Sequence, residues 1–128
     1  MPPAKPTSDN WLLFLPENEF HEIGLLFSYY LIRLSGRKVI YLGSNVPFPS
    51  ITTAVKEIKP DILLFFLVHR DSPENLQKYC DQLVKEFKGK MIYLAGNEKL
   101  LVSLKTQKKL ELLSSIETLE QKLSGIFV

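Results

Sequence analysis

This chain has little of what staples, anchors or exports a protein. It carries one cysteine, Cys80, in 128 residues. That excludes an internal disulfide framework and points to a reducing compartment. No apolar run approaches the roughly 20 residues of a membrane span. The start, Met1-Pro2-Pro3-Ala4-Lys5-Pro6, has no apolar stretch of the kind a secretion signal needs. A cytoplasmic location is therefore expected. Charge of one sign is scarce too. Sixteen Lys and Arg against 14 Asp and Glu leave a formal net charge of +2. So small an excess argues neither for direct contact with nucleic acid nor for an anionic membrane.

What remains is ordinary globular material, with 45% hydrophobic and 23% charged residues. The length suits one domain with a real core. Residues 1–9 hold Pro2, Pro3 and Pro6 with Thr7, Ser8 and Asp9. That is the composition of a linker or a disordered terminus. Residues 10–128 read as the domain.

Strand and helix patterns alternate along it. Trp11 to Leu15 is an apolar strand ended by Pro16. Ile23, Leu26, Phe27, Tyr30, Leu31 and Leu34 then form one continuous apolar face at helical period, of the kind a helix turns to its core. Gly36 stops that helix. Val39 to Leu42 is a second strand, ended by Gly43. Pro47 and Pro49 open a second helix, with Ile51, Ala54, Val55 and Ile58 at helical spacing. Asp61 to Val68 is apolar without alternation, as in a central strand covered on both faces.

Ser72, Pro73 and Glu74 start a third helix carrying Leu76, Tyr79, Cys80, Leu83, Val84 and Phe87. Met91 to Leu94 is a fourth strand. A short helix over Leu100, Leu101 and Leu104 and a fifth strand, Leu110 to Leu113, follow. Ser114 and Glu117 read as a capping box for the last helix, with Ile116, Leu119, Leu123 and Phe127 inward. Five alternations predict a three-layer, doubly wound α/β fold. Its five-stranded parallel sheet should have the flavodoxin-like order 2-1-3-4-5.

The switch point of that order, between strands 1 and 3, receives Glu19-Phe20-His21-Glu22-Ile23-Gly24. Histidine is the commonest metal ligand, and a nearby carboxylate can fix its tautomer. Other chemistries fit less well. Pro16-Glu17-Asn18-Glu19 is acidic and lacks glycine, so it is no phosphate loop. A G-x-G-x-x-G fingerprint and a nucleophile elbow are absent. Strand 3 does not end in the lone Asp of a phospho-receiver. Cys80 reads as an inert core thiol. Glu17 and Glu22 read as acids favoured by a helix N-terminus. His69-Arg70-Asp71 and Lys105, Lys108 and Lys109 read as solvated surface.

An acid, then His, then Gly, as Glu19, His21 and Gly24 after a first strand, resembles the cobalamin-binding domain family of flavodoxin-like fold. Gly36, the run Val39 to Gly43, Val46-Pro47 and Pro60-Asp61-Ile62 agree with it, so the resemblance covers about Trp11 to Gly96. It implies His21 as lower ligand to the cobalt of cobalamin, Glu19 bonded to its other nitrogen, and Gly24 where the corrin approaches the backbone. Val46, Pro47, Phe66, Val68, Ala95 and Gly96 would line the cofactor. The stretch Glu19 to Leu26 is similar more narrowly to the C-terminal effector domain of MerR-type transcriptional regulators. There, upstream DNA-binding and helical-bundle domains precede it. Neither is in this chain, and Trp11, its one tryptophan, lies in a strand.

Two positions depart from the family pattern. Its Ser-x-Leu after strand 3 falls on Phe66-x-Val68, and its Gly-Gly after strand 4 on Ala95-Gly96. Both changes put side chain into the channel for the nucleotide tail, so weakened or lost cobalamin binding is expected. The expected function is a non-catalytic sensory and effector domain of a MerR-type regulator. A corrinoid bound between His21 and the preceding helical bundle would bias the attached DNA-binding part. Its partners would be a corrinoid ligand and the upstream domains, with a homo-oligomer compatible. The alternatives are a corrinoid carrier domain of a methyltransferase or mutase, and a ligand-free protein-interaction module.

Overall fold

The computed structural model describes residues 9–67, 73–96, 109–113 and 116–125. Its elements run β1 (Asn10–Pro16), α1 (Ile23–Leu34), β2 (Lys38–Val46), α2 (Phe48–Ile58), β3 (Ile62–Leu67), α3 (Pro73–Glu86), β4 (Met91–Gly96), β5 (Leu110–Leu113) and α4 (Ile116–Gly125). The strands pair in parallel in the order β2-β1-β3-β4-β5. This is the flavodoxin-like α/β fold that the alternation predicts.

The apolar runs of β1 and β3 follow from their place in the middle of the sheet. Alternate side chains point to opposite faces, and helices cover both faces, so both sets must be apolar. Leu12, Phe14, Leu63, Phe65 and Leu94 pack with Ile51 and Val55 of α2 and Leu76, Cys80 and Leu83 of α3. Trp11, Leu13, Leu15, Leu64, Tyr93 and Ala95 pack on the other face with Leu25 and Ile32 of α1 and Leu119 and Leu123 of α4.

Two sequence expectations change. First, the wide apolar stripe of α1 is not its buried face. Leu25, Ser28 and Ile32 are buried, while Ile23, Leu26, Phe27, Tyr30 and Leu34 are exposed. The helix is apolar almost all round, with Arg33 its single charge, so periodicity alone could not choose a side. The sheet takes the side with the small residues Gly24 and Ser28. Ser28 can be buried because its hydroxyl donates to the Gly24 carbonyl at 2.9 Å.

Second, Gly43 does not end β2. The strand continues to Val46, and Gly43, at φ +97°, lies where the register against β1 slips. Such an irregularity needs a residue free to adopt positive φ. β3 is described only to Leu67, so Val68 lies outside the described residues, as do Ser72, Leu100, Leu101, Leu104 and Ser114. His69 to Asp71, Lys105, Lys108 and Phe127 lie outside them too. Gly36, at φ +89°, follows α1 as expected. Among the described residues no helix is long and apolar enough to cross a membrane.

Candidate functional site

The carboxyl ends of β1, β2, β3 and β4 meet at one edge of the sheet, and the loop from Glu17 to Glu22 lies over it. Backbone bonds hold that loop. The Glu19 N–H donates to the Pro16 carbonyl at 3.0 Å, and the Asn45 N–H to the Glu19 carbonyl at 3.0 Å. The Asn18 N–H donates to Asn45 Oδ1 at 2.9 Å. Asn18 and Asn45 both take positive φ, 71° and 54°, a conformation that asparagine tolerates better than most residues. The end of β2 thus clamps the loop that carries the expected ligand.

His21 is exposed to solvent beside this clamp, whereas Glu19 is buried. Glu22 heads α1 at its N-cap position without a side-chain cap bond to the helix. It accepts instead a 2.6 Å hydrogen bond from the Tyr41 hydroxyl of β2. That bond, with a second from Ser44, holds the Glu22 carboxyl below its ordinary range. Burial, then the same carboxylate, push the Tyr41 phenol well above its own. Tyr29 of α1 meets Tyr41 edge-on, ring centroids 5.5 Å apart. Sequence reading missed this pair by treating Glu22 as a helix-dipole acid. The usable signal was register: Tyr41 lies beside Leu13, whose side chain faces α1.

Gly24, Phe66 and Ala95 come together in a closed contact. A β-carbon at Gly24 would lie 2.6 Å from Phe66 Cε2 and 3.0 Å from Cδ2. The Phe66 ring therefore occupies the space between the first turn of α1 and the end of β3. Phe66 pairs with Ala95 across β3 and β4. Ala95 is buried on the same face, and Phe66 packs against that cluster. One position on, a β-carbon at Gly96 would run into the carbonyl oxygen of Leu67. Glycine there is required by the neighbouring strand.

Other expected residues lie apart. Val46 is buried on the opposite face, in the cluster with α2 and α3. Pro47 is exposed and serves as the N-cap residue of α2. Trp11 is fully buried and stacks on Tyr93 at 5.5 Å, so it offers nothing to a ligand at this edge. Among the described residues, no three His, Cys, Asp or Glu side chains gather into a metal-binding group, and His21 is the single exposed imidazole at the edge. A nucleotide tail threaded between α1 and the ends of β3 and β4 would need the volume that the Phe66 ring fills. The residues present do not fit a tail-anchored corrinoid.

No family model and no curated protein matches the chain. Solved structures do, over nearly its whole length. A cobalamin-binding protein from Desulfitobacterium hafniense shares 22% identity at a TM-score of 0.72, over 95% of this chain and 60% of that one. The methanol:cobalamin methyltransferase complex of Methanosarcina barkeri shares 19% at 0.73, over 97% of this chain and 49% of that one. The monomethylamine corrinoid protein of the same organism shares 16% at 0.68, over 91% and 57%. The likeness establishes the fold, and the chain spans about half to three-fifths of those proteins.

Proposed function

We propose that the chain is a non-catalytic sensory and effector domain on a corrinoid-binding scaffold, the C-terminal part of a MerR-type transcriptional regulator. In it, anchorage of cobalamin by the nucleotide tail has been lost or strongly weakened. The Phe66 ring against Gly24 supports the loss of tail anchorage, and the MerR-type assignment rests on the resemblance of the stretch Glu19 to Leu26. A group carrier must keep its cofactor through many cycles and needs the tail channel open. An effector domain can survive closure of the channel, because its task is to hold partner domains in one arrangement. The exposed His21 is then a single weak donor, with neither a tail site nor, among the described residues, a metal-binding group beside it.

The comparisons favour a second reading over the regulator. Two of the similar structures are a methanol:cobalamin methyltransferase complex and a monomethylamine corrinoid protein. On that reading the chain is a corrinoid carrier domain for a methyltransferase, and the Phe66 ring must swing aside to admit the tail.

Titration with hydroxocobalamin, followed by visible absorption, separates the two. The wild-type chain is expected to shift the cofactor spectrum only weakly at about 100 µM, far above the affinity of a resident cofactor. Phe66→Ser with Ala95→Gly is expected to acquire a spectral shift that His21→Ala removes. A shift already saturated in the wild-type protein near 1 µM overturns the effector reading in favour of the carrier.

A further inference from the structure

The outer face of α1 has no partner among the described residues. Ile23 is 86% exposed, Leu26, Phe27, Tyr30 and Leu34 are between 46% and 50% exposed, and Phe20, in the loop before the helix, is 62% exposed. Taking ~200 Å² for each large side chain, the five on α1 present roughly 550 Å² of apolar surface. That lies at the upper end of the ~300–600 Å² of the largest patch on a typical monomer. It is the larger part of the ~800 Å² that each partner brings to a stable interface of standard size. A surface helix normally turns charge to solvent. This one carries only Arg33 along its length.

The order of the apolar residues says what fits there. Ile23, Phe27, Tyr30 and Leu34 are spaced by four, three and four residues, a pattern that reads the same in both directions. Two copies of α1 laid antiparallel about a two-fold axis would bring Ile23 against Leu34 and Phe27 against Tyr30. The same reversal sets Leu26 against the half-buried Leu31. Every contact is then apolar on apolar, and the stripe spans about 17 Å of helix at 1.5 Å per residue. An isologous interface needs such self-complementarity. The lack of acids and the single cation leave no charge pattern to select a charged partner.

We propose that a second copy of this chain covers α1, forming a symmetric antiparallel helix pair centred between Phe27 and Tyr30. The pairing is indifferent to cobalamin, so it holds for an effector or a carrier alike.

Sedimentation of the full chain tests it. Between about 1 and 100 µM the mass is expected to rise towards twice 14.7 kDa. Phe27→Glu and Tyr30→Lys should each weaken self-association at least ~100-fold by burying unpaired charge. Both should keep the wild-type circular dichroism, because the side chains are half exposed. Mixing the two variants should restore a dimer, because the carboxylate introduced in one copy would then face the ammonium introduced in the other. Tyr30→Ser serves as a milder third variant if either charged protein fails to fold. A wild-type monomer at 100 µM overturns the proposal, and so does undiminished dimerisation of the variants. Failure of the mixed pair to associate overturns the antiparallel arrangement.

Discussion

Phe66 and Gly24 touch across the crevice between β3 and α1, the phenyl edge lying where a β-carbon on residue 24 would have to go. One residue type explains the other. A side chain at 24 would push the ring out of the buried cluster it shares with Ala95. A ring at 66 closes the crevice that a glycine would otherwise leave open. At this sheet edge the space beside the first turn of α1 is filled by side chain.

Gly24→Ala is expected to destabilise the protein by about 1–3 kcal/mol through overpacking against Phe66. This outweighs the ~0.5–1 kcal/mol that alanine normally gains over glycine inside a helix. In a Phe66→Ala background the clash is gone and the same change should stabilise by that smaller amount. Urea unfolding of the four proteins checks the reversal of sign, and a Gly24→Ala effect independent of residue 66 would refute the contact.

Gly96→Ala should be more severe, about 3 kcal/mol or more. The obstacle there is the backbone oxygen of Leu67, not a mobile ring. No side-chain substitution at 66 or 95 should rescue it. Thermal unfolding monitored by Trp11, buried against Tyr93, supplies the readout.

The Tyr41–Glu22 bond sets a pH window. Glu22 is held below its ordinary value of 4.5, so its contribution is complete above that value and fades as pH falls through the lower folded-state value. Tyr41 is raised above its ordinary value of 10.0, so its contribution is complete below pH 10 and is lost as pH rises through the higher folded-state value. Tyr41→Phe should therefore lower stability most between these limits, and the gap to wild type should narrow in acid and again in strong alkali. Denaturant midpoints measured across pH decide it.

Cys80 is fully buried between α3 and the sheet. A thiol reagent such as Ellman's should label it only at the rate at which the chain opens. Cys80→Ala should cost about 1 kcal/mol through the small cavity left. Fast labelling of native protein would contradict this placement.

Much of the fold was legible from the residues. The apolar runs of β1 and β3 announced central strands because both of their faces must be covered. Gly36 marked the end of α1, and Leu76, Cys80 and Leu83 of α3, with Phe87 just after it, are buried as their spacing implied. At the site, the residue order put Glu19, His21 and Gly24 at the sheet's switch point, and the resemblance to the cobalamin-binding family flagged Phe66 and Ala95 as filling space. It did not show the Tyr41–Glu22 bond, which joins residues on different elements.

Which segments are strands and helices, and their order in the sheet, is therefore written in the residues themselves. Both follow from periodicity and from how the chain alternates. Three-dimensional packing was needed to choose the side of α1 that faces inward, to let Gly43 bend β2 without ending it, and to close Phe66 on Gly24. A helix apolar all round can bury either side, and the choice falls to whichever lets the backbone approach the sheet. That choice buries Leu25, Ser28 and Ile32 and turns Phe27 and Tyr30 away from the sheet.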